Sequence, residues 1–242
     1  IAIAIGAGSR HERPSERGAA HLLEHLCFRG IPGAENSAAL AHAMESLGAT
    51  SNAGTDREST IYWIHVPQAV AVEAARLIGA VALAPLLHPE HMRIERQIVI
   101  EEIRSYDDDP SEQAGTALDR ALFGVHALGR EIAGRPAEVR ALRHEAVARF
   151  HARTYTPAAT TLAIAGDLTL ADAQGVARAV RTSLGEHAAP PRTVSGRTAL
   201  TRVSARGEGF VAKIRDGEQA QFALGLPALR REDPEAVGHA CG

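Results

Sequence analysis

Between Ala19 and Cys27 the chain reads Ala-Ala-His-Leu-Leu-Glu-His-Leu-Cys, which sets three ionisable side chains into an otherwise apolar helical run. Burying such groups without partners is costly, so the fold must bring something to His21, Glu24 and His25. On a helix His21 and His25 lie on one face, one turn apart, where both imidazoles reach the same ion. Two imidazoles suit zinc, and a catalytic zinc needs one more protein ligand and an open position for water. Glu24, three residues after His21, does not easily become a third ligand from the same turn. It is placed instead to hold a water and take its proton. A chain with 12 histidines meets this spacing by composition now and then, so the weight rests on the apolar setting of Leu22, Leu23 and Leu26.

The third ligand should be a carboxylate, a histidine or a cysteine delivered from elsewhere. The segment Arg-Ile-Glu-Arg-Gln-Ile-Val-Ile-Glu-Glu-Ile-Arg-Ser-Tyr offers Glu95, Glu101 and Glu102 on an amphipathic helix whose buried face Ile94, Ile98 and Val99 should mark. Glu95 and Glu102 are two turns apart and share a face, whereas Glu101 points about 100° away from Glu102. Three glutamates on such a helix usually face water, and the first motif is what makes them candidates here.

The rest of the chain frames this pair of helices. Residues 1–5 alternate as a strand, residues 37–48 read as a helix with Ser37 as its N-cap, and residues 49–55 and 59–66 read as two strands. An apolar helix closes at Pro85, and the long helix is ended or interrupted by Pro110. Helical patterns over 111–124 and 135–155, a strand over 159–168 and a helix capped by Thr169 follow. The fold class is therefore α+β, a mostly antiparallel sheet with helices packed on it and the metal site on a helix pair beside the sheet. The expected domains are 1–185, then a linker rich in Pro, Gly, Ser and Arg over 186–217, then the start of a second domain over 218–242. In that last stretch a strand and a helix from Asp233 and Pro234 are too little to bury a core. Since the chain does not begin with methionine, the expectation is that it starts inside a longer protein.

Composition removes several classes. A net charge of -3 argues against a dedicated nucleic-acid binder, and no run reaches the apolar length of a membrane span. Cys27 and Cys241 form no disulfide framework, which favours a reducing compartment and a cytoplasmic protein. No phosphate-binding or dinucleotide motif is complete. His42, His65 and His126 read as ordinary core or surface residues, and His88 and His91 at the start of the long helix are left unassigned.

The motif His21-Leu22-Leu23-Glu24-His25 followed by Glu102, 77 residues after His25, resembles the pitrilysin family of zinc metallopeptidases, the inverzincins. The stretches around residues 8–30, 47–63, 95–103 and 155–168 follow that family's catalytic domain in order and spacing. The resemblance implies that His21, His25 and Glu102 hold zinc, that Glu24 is the general base, and that Glu95 is a second carboxylate supporting the site. It implies a zinc endopeptidase acting on peptides or unfolded precursor segments. Asn52 and Ala53 would contact substrate on an edge strand beside the zinc, by strand addition. It also implies an additional strand before residue 1 and a partner, either a second homologous domain or another chain, with a dimer expected. Two rival readings remain: a non-catalytic or weakly active subunit of a two-chain complex, and a metal-dependent lyase of the S-ribosylhomocysteine type, whose third ligand is a cysteine.

Overall fold

The alternation of Ile3 and Ile5 with Ala2 and Ala4 forms strand β1 (Ala2–Ile5), both isoleucines fully buried. In the computed structural model, which describes residues 1–183, 209–214 and 220–226, β1 lies inside a four-stranded sheet. Its partners are β2 (Thr50–Thr55), β3 (Thr60–His65) and β4 (Thr160–Ala163), in the order β2-β3-β1-β4 with every pairing antiparallel. Ile3 sits opposite Tyr62 and Ile5 opposite Thr60, so one face carries Ile3, Ile5, Tyr62 and Ile64 into the core. The period of two turns Ile61, Trp63 and His65 to the other face. β2 is an edge strand, paired with β3 alone among the described residues.

Helices cover the inward face. The helices among the described residues are α1 (Ala19–Cys27), α2 (Ser37–Ser46), α3 (Ala71–Leu83), α4 (Met92–Asp108), α5 (Pro110–Phe123), α6 (Pro136–Ala141), α7 (His144–Thr154) and α8 (Leu170–Ser183), of which α1 and α3 are the ones packed most closely on the strands. α1 packs on β2 and α7, and α3 on β1, β3 and α8. The architecture is thus the expected α+β class, an antiparallel sheet with helices on it. Two compact units divide the described residues, the first within Ile1–Ser105 and Glu131–Leu200, the second within Tyr106–Arg130 and Thr201–Gly242. Within the second, α5 lies against the segment through Gly225, whose backbone approaches Leu118 and Leu122.

Several local expectations change. Ser37 is the first residue of α2, not its cap; the Asn36 side chain accepts from the Ala39 N–H at 2.9 Å. The helical run over 135–155 is two helices, because Leu142 and Arg143 take extended backbone that lets Leu142 bury its side chain. On α4 the buried face is Met92, Glu95, Val99, Ile100 and Ile103, while Ile94 and Ile98 are 45% and 36% exposed. The true stripe passes through a carboxylate, which a count of apolar residues skips. Residues 220–226 form no strand, since among the described residues none lies alongside to make a ladder. The helix from Asp233, Cys241 and most of the expected linker lie outside the described residues. No helix among them is long and apolar enough to cross a membrane.

A buried ion pair ties the entry to α1 to the back of the domain. Arg153 on α7 donates to both oxygens of Glu16, at 2.9 and 2.8 Å, and the Arg13 N–H adds a third bond at 3.0 Å. Burial alone would raise the Glu16 pKa, but the Arg153 and Arg13 bonds outweigh it and hold the carboxyl below its usual value. Its contribution to stability is therefore full above the ordinary glutamate pKa of about 4.3 and is lost as pH falls through the lower folded value. Arg153→Met should cost about 1–3 kcal/mol at pH 7 by leaving a buried carboxylate underpartnered. In urea unfolding the gap between the two proteins should close between pH 5 and about 3; a gap independent of pH would remove this account.

Candidate active site

Two devices set the start of α1. Gly18 has φ +83°, and a Cβ there would lie 2.7 Å from the Ala133 carbonyl oxygen, so both the backbone and the space demand glycine. The Glu12 carboxylate then accepts from the Gly18 and Ala20 N–H groups at 3.0 and 2.8 Å, satisfying donors that the helix itself leaves open. α1 buries Leu22, Leu23, Leu26 and Cys27 and turns His21, Glu24 and His25 to the opposite side, where α4 passes.

There the side chains converge. His21 Nε2 lies 3.0 Å and His25 Nε2 3.4 Å from Glu102 Oε2, the two rings meet edge to face at 4.8 Å, and one donor atom from each residue falls within 4.8 Å of the others. Ligand atoms around a tetrahedral zinc stand about 3.3 Å apart, from bond lengths of about 2.0–2.1 Å. The donor set and its spacing therefore fit that ion, with the Glu102 side chain about one third exposed on the open side. Among the described residues no other three His, Cys, Asp or Glu side chains meet this way. The His21 hydrogen bond holds Glu102 below the usual carboxylate range against the opposing effect of burial. Burial disfavours the His25 cation, but Glu95, Glu102 and Glu24 together outweigh it and raise its pKa.

Around this cluster the structure places the remaining candidates. Glu95, buried on α4, has Oε2 3.3 Å from His25 Nδ1, and its Oε1 pairs with Arg29. The Thr55 hydroxyl, at the end of β2, donates to Glu24 Oε2. Glu101 is exposed and engages Gln97 and Arg104, each at 2.7 Å. Asn52 and Ala53 lie on the β2 edge strand with their side chains on opposite faces, Asn52 across from Trp63 and Ala53 across from Tyr62. Asn52 Oδ1 accepts from the Ala53 N–H at 2.9 Å. Cys27 points away into the core, where Tyr62 OH stands 3.5 Å from its sulfur and burial pushes the thiol up to about 12. The His88 and His91 rings touch each other at 5.9 Å and join no metal-ligating group.

Sequence reasoning missed Thr55 and Arg29. Thr55 shares a strand face with Ala53 by the period of two, but its role shows only once β2 is seen to run beside α1. Arg29 stands four residues after His25, a helical spacing that predicts a neighbour; the α4 carboxylate it meets comes from 66 residues away.

The chain is similar to known proteins over most of its length. The profile described as insulinase (peptidase family M16) matches residues 1–135, and that of the peptidase M16 inactive domain matches residues 141–238. An uncharacterized zinc protease of Mycobacterium leprae is 33% identical over 229 residues, covering 93% of this chain and 50% of that protein. A probable mitochondrial-processing peptidase subunit beta of Schizosaccharomyces pombe is 32% identical over 173 residues, 69% of this chain and 36% of that one. In fold, the chain resembles the crystal structure of a peptidase M16 inactive domain from Pseudomonas fluorescens, with a TM-score of 0.70 at 22% identity over 76% of this chain and 44% of that one. The chain spans about half the length of the first of these relatives.

Proposed function

Since this chain belongs to peptidase family M16, the insulinase and pitrilysin type, we propose that it is the catalytic portion of a zinc-dependent endopeptidase. The observation that carries this reading is the convergence of His21, His25 and Glu102 on one point with Glu24 beside them. His21 and His25 through Nε2, and Glu102 through its carboxylate, would hold the metal. Bound there, zinc would supply a Lewis acid that lowers the pKa of water and polarises a peptide carbonyl.

The protein's own groups do the rest. Thr55 occupies Oε2 of Glu24, which leaves Oε1 to take the proton of the attacking water and later return it to the leaving amine nitrogen. The free edge of β2 would take an extended peptide as a further strand, with the Ala53 N–H exchanging the Asn52 side chain for a substrate carbonyl. Strand addition selects unfolded segments, because only they offer a free backbone edge. Residues 1–185 form the catalytic domain in this reading, 186–217 a linker and 218–242 the start of a second homologous domain, completed in the same chain or by a partner in a dimer. A cytoplasmic setting accords with Cys27 as a free buried thiol.

One observation favours a second reading, a non-catalytic or weakly active subunit: residues 141–238 match the inactive-domain profile. The three metal donors and Glu24 precede that stretch and fall within the match at residues 1–135, which keeps the catalytic reading first. For the lyase reading Cys27 supplies no third ligand, since it is turned into the core against Tyr62 and lies outside the cluster. The full-length protein, stripped of metal and reconstituted with zinc, should cleave a mixed peptide library within chains and only when zinc is present. Absence of cleavage, with or without zinc bound, would remove the catalytic reading and leave the subunit one.

A further inference from the structure

The nitrogen of His25 that faces Glu102 is Nε2, at 3.4 Å, and its other nitrogen, Nδ1, rests on Glu95 Oε2 at 3.3 Å. Which nitrogen of a ligating imidazole faces the metal is set by what the other one bonds, so the orientation of Glu95 becomes the orientation of His25. The Glu95 side chain is 2% exposed, and a carboxylate in that setting needs a compensating charge. We propose that Arg29 is a positioning residue of the metal centre, which pins Glu95 and through it the imidazole of His25.

Three features carry this. Arg29 pairs with Oε1 of Glu95, and that buried oxygen has no hydrogen-bond partner besides this ion pair. The two oxygens of Glu95 are thereby divided, one for the cation and one for His25 Nδ1, which fixes the carboxylate plane. Arg29 also leaves the chain just beyond the last turn of α1, while Glu95 sits in the first turn of α4, so the pair clamps the two helices that bring His25 and Glu102 together. A guanidinium holds a carboxylate more directionally than an ammonium does. Without it the Glu95 side chain loses its anchor on Oε1, and His25 loses the fixed acceptor behind it.

The inference rests on His25 being a zinc ligand, and zinc affinity measured by chelator competition separates the two. In the full-length protein, Arg29→Met should weaken zinc binding by about 10–100-fold, the usual effect of removing a partner behind a ligating histidine. Arg29→Lys, which keeps the charge but holds the carboxylate less directionally, should recover only part of that loss. A merely structural clamp would lower the unfolding midpoint of the metal-free protein and leave zinc affinity unchanged, and that result overturns the proposal. If Arg29→Met fails to fold, Arg29→Gln, which keeps an N–H donor for Glu95 Oε1 without the charge, carries the test. Zinc bound by this variant several-fold more weakly supports the clamp, and binding as tight as that of the unsubstituted protein overturns it. Failure of the unsubstituted protein to bind zinc would instead remove the proposed function.

Discussion

Glu24→Gln should leave zinc bound and lower peptide cleavage by about 10²–10⁴-fold, the range in which a positioned general base contributes. Gln has nearly the same shape, and its amide oxygen still accepts the Thr55 hydroxyl, so neither the β2 to α1 contact nor the three metal donors are disturbed. What is lost is one ability, that of taking a proton from water and giving it to a departing amine. The loss should therefore fall on kcat, with KM nearly unchanged if, as proposed, the peptide docks on the β2 edge rather than on Glu24. Zinc content per chain, measured beside the rate on a quenched fluorescent peptide, checks both halves. Cleavage at the unsubstituted rate would remove Glu24 from the chemistry, and loss of zinc would show that it serves the metal and not the water.

Such a variant could be named from sequence because the relevant spacing is local. His21 and His25 are one turn apart and Glu95 and Glu102 two turns apart, so each pair shares a helix face whatever the rest of the chain does. The same helix shows where that reasoning stops. An apolar count puts Ile94 and Ile98 on the buried face of α4, yet both face outward, because the inward stripe runs Met92, Glu95, Val99 and Ile103. Glu95 lies inside only because Arg29 and His25, both on or beyond another helix, meet it there. Hydrophobic periodicity cannot register a buried charge whose partners are distant in sequence. The break between α6 and α7 was hidden for a related reason: it contains no Gly or Pro, and it arises from the depth at which Leu142 packs. Strands were easier, since alternation in β1 and β3 is strict and one face is apolar. The order β2-β3-β1-β4, which puts Thr55 beside Glu24, is a tertiary result with no local signature.

Glu102→Gln should weaken zinc binding by more than about 100-fold and take cleavage down with it. The lower bound follows from the lesser change: removing a group one shell further out costs about 10–100-fold in affinity, so removing an anionic ligand must cost more. Gln keeps an oxygen near His21 Nε2 and His25 Nε2 but offers a neutral amide where the metal, on this reading, meets a carboxylate that His21 already holds below its usual pKa. Raising free zinc separates affinity from chemistry. If Glu102 is a ligand, excess zinc should restore part of the cleavage in this variant, and it should restore none in Glu24→Gln, whose site is already filled. Unchanged zinc affinity in Glu102→Gln would pass the third ligand to another residue. Glu95 could not take that place without giving up His25 Nδ1, because its Oε1 is committed to Arg29 and its Oε2 is the oxygen behind the imidazole. The two carboxylates of α4 therefore cannot exchange roles, and a single zinc titration on each variant distinguishes the ligand from its support.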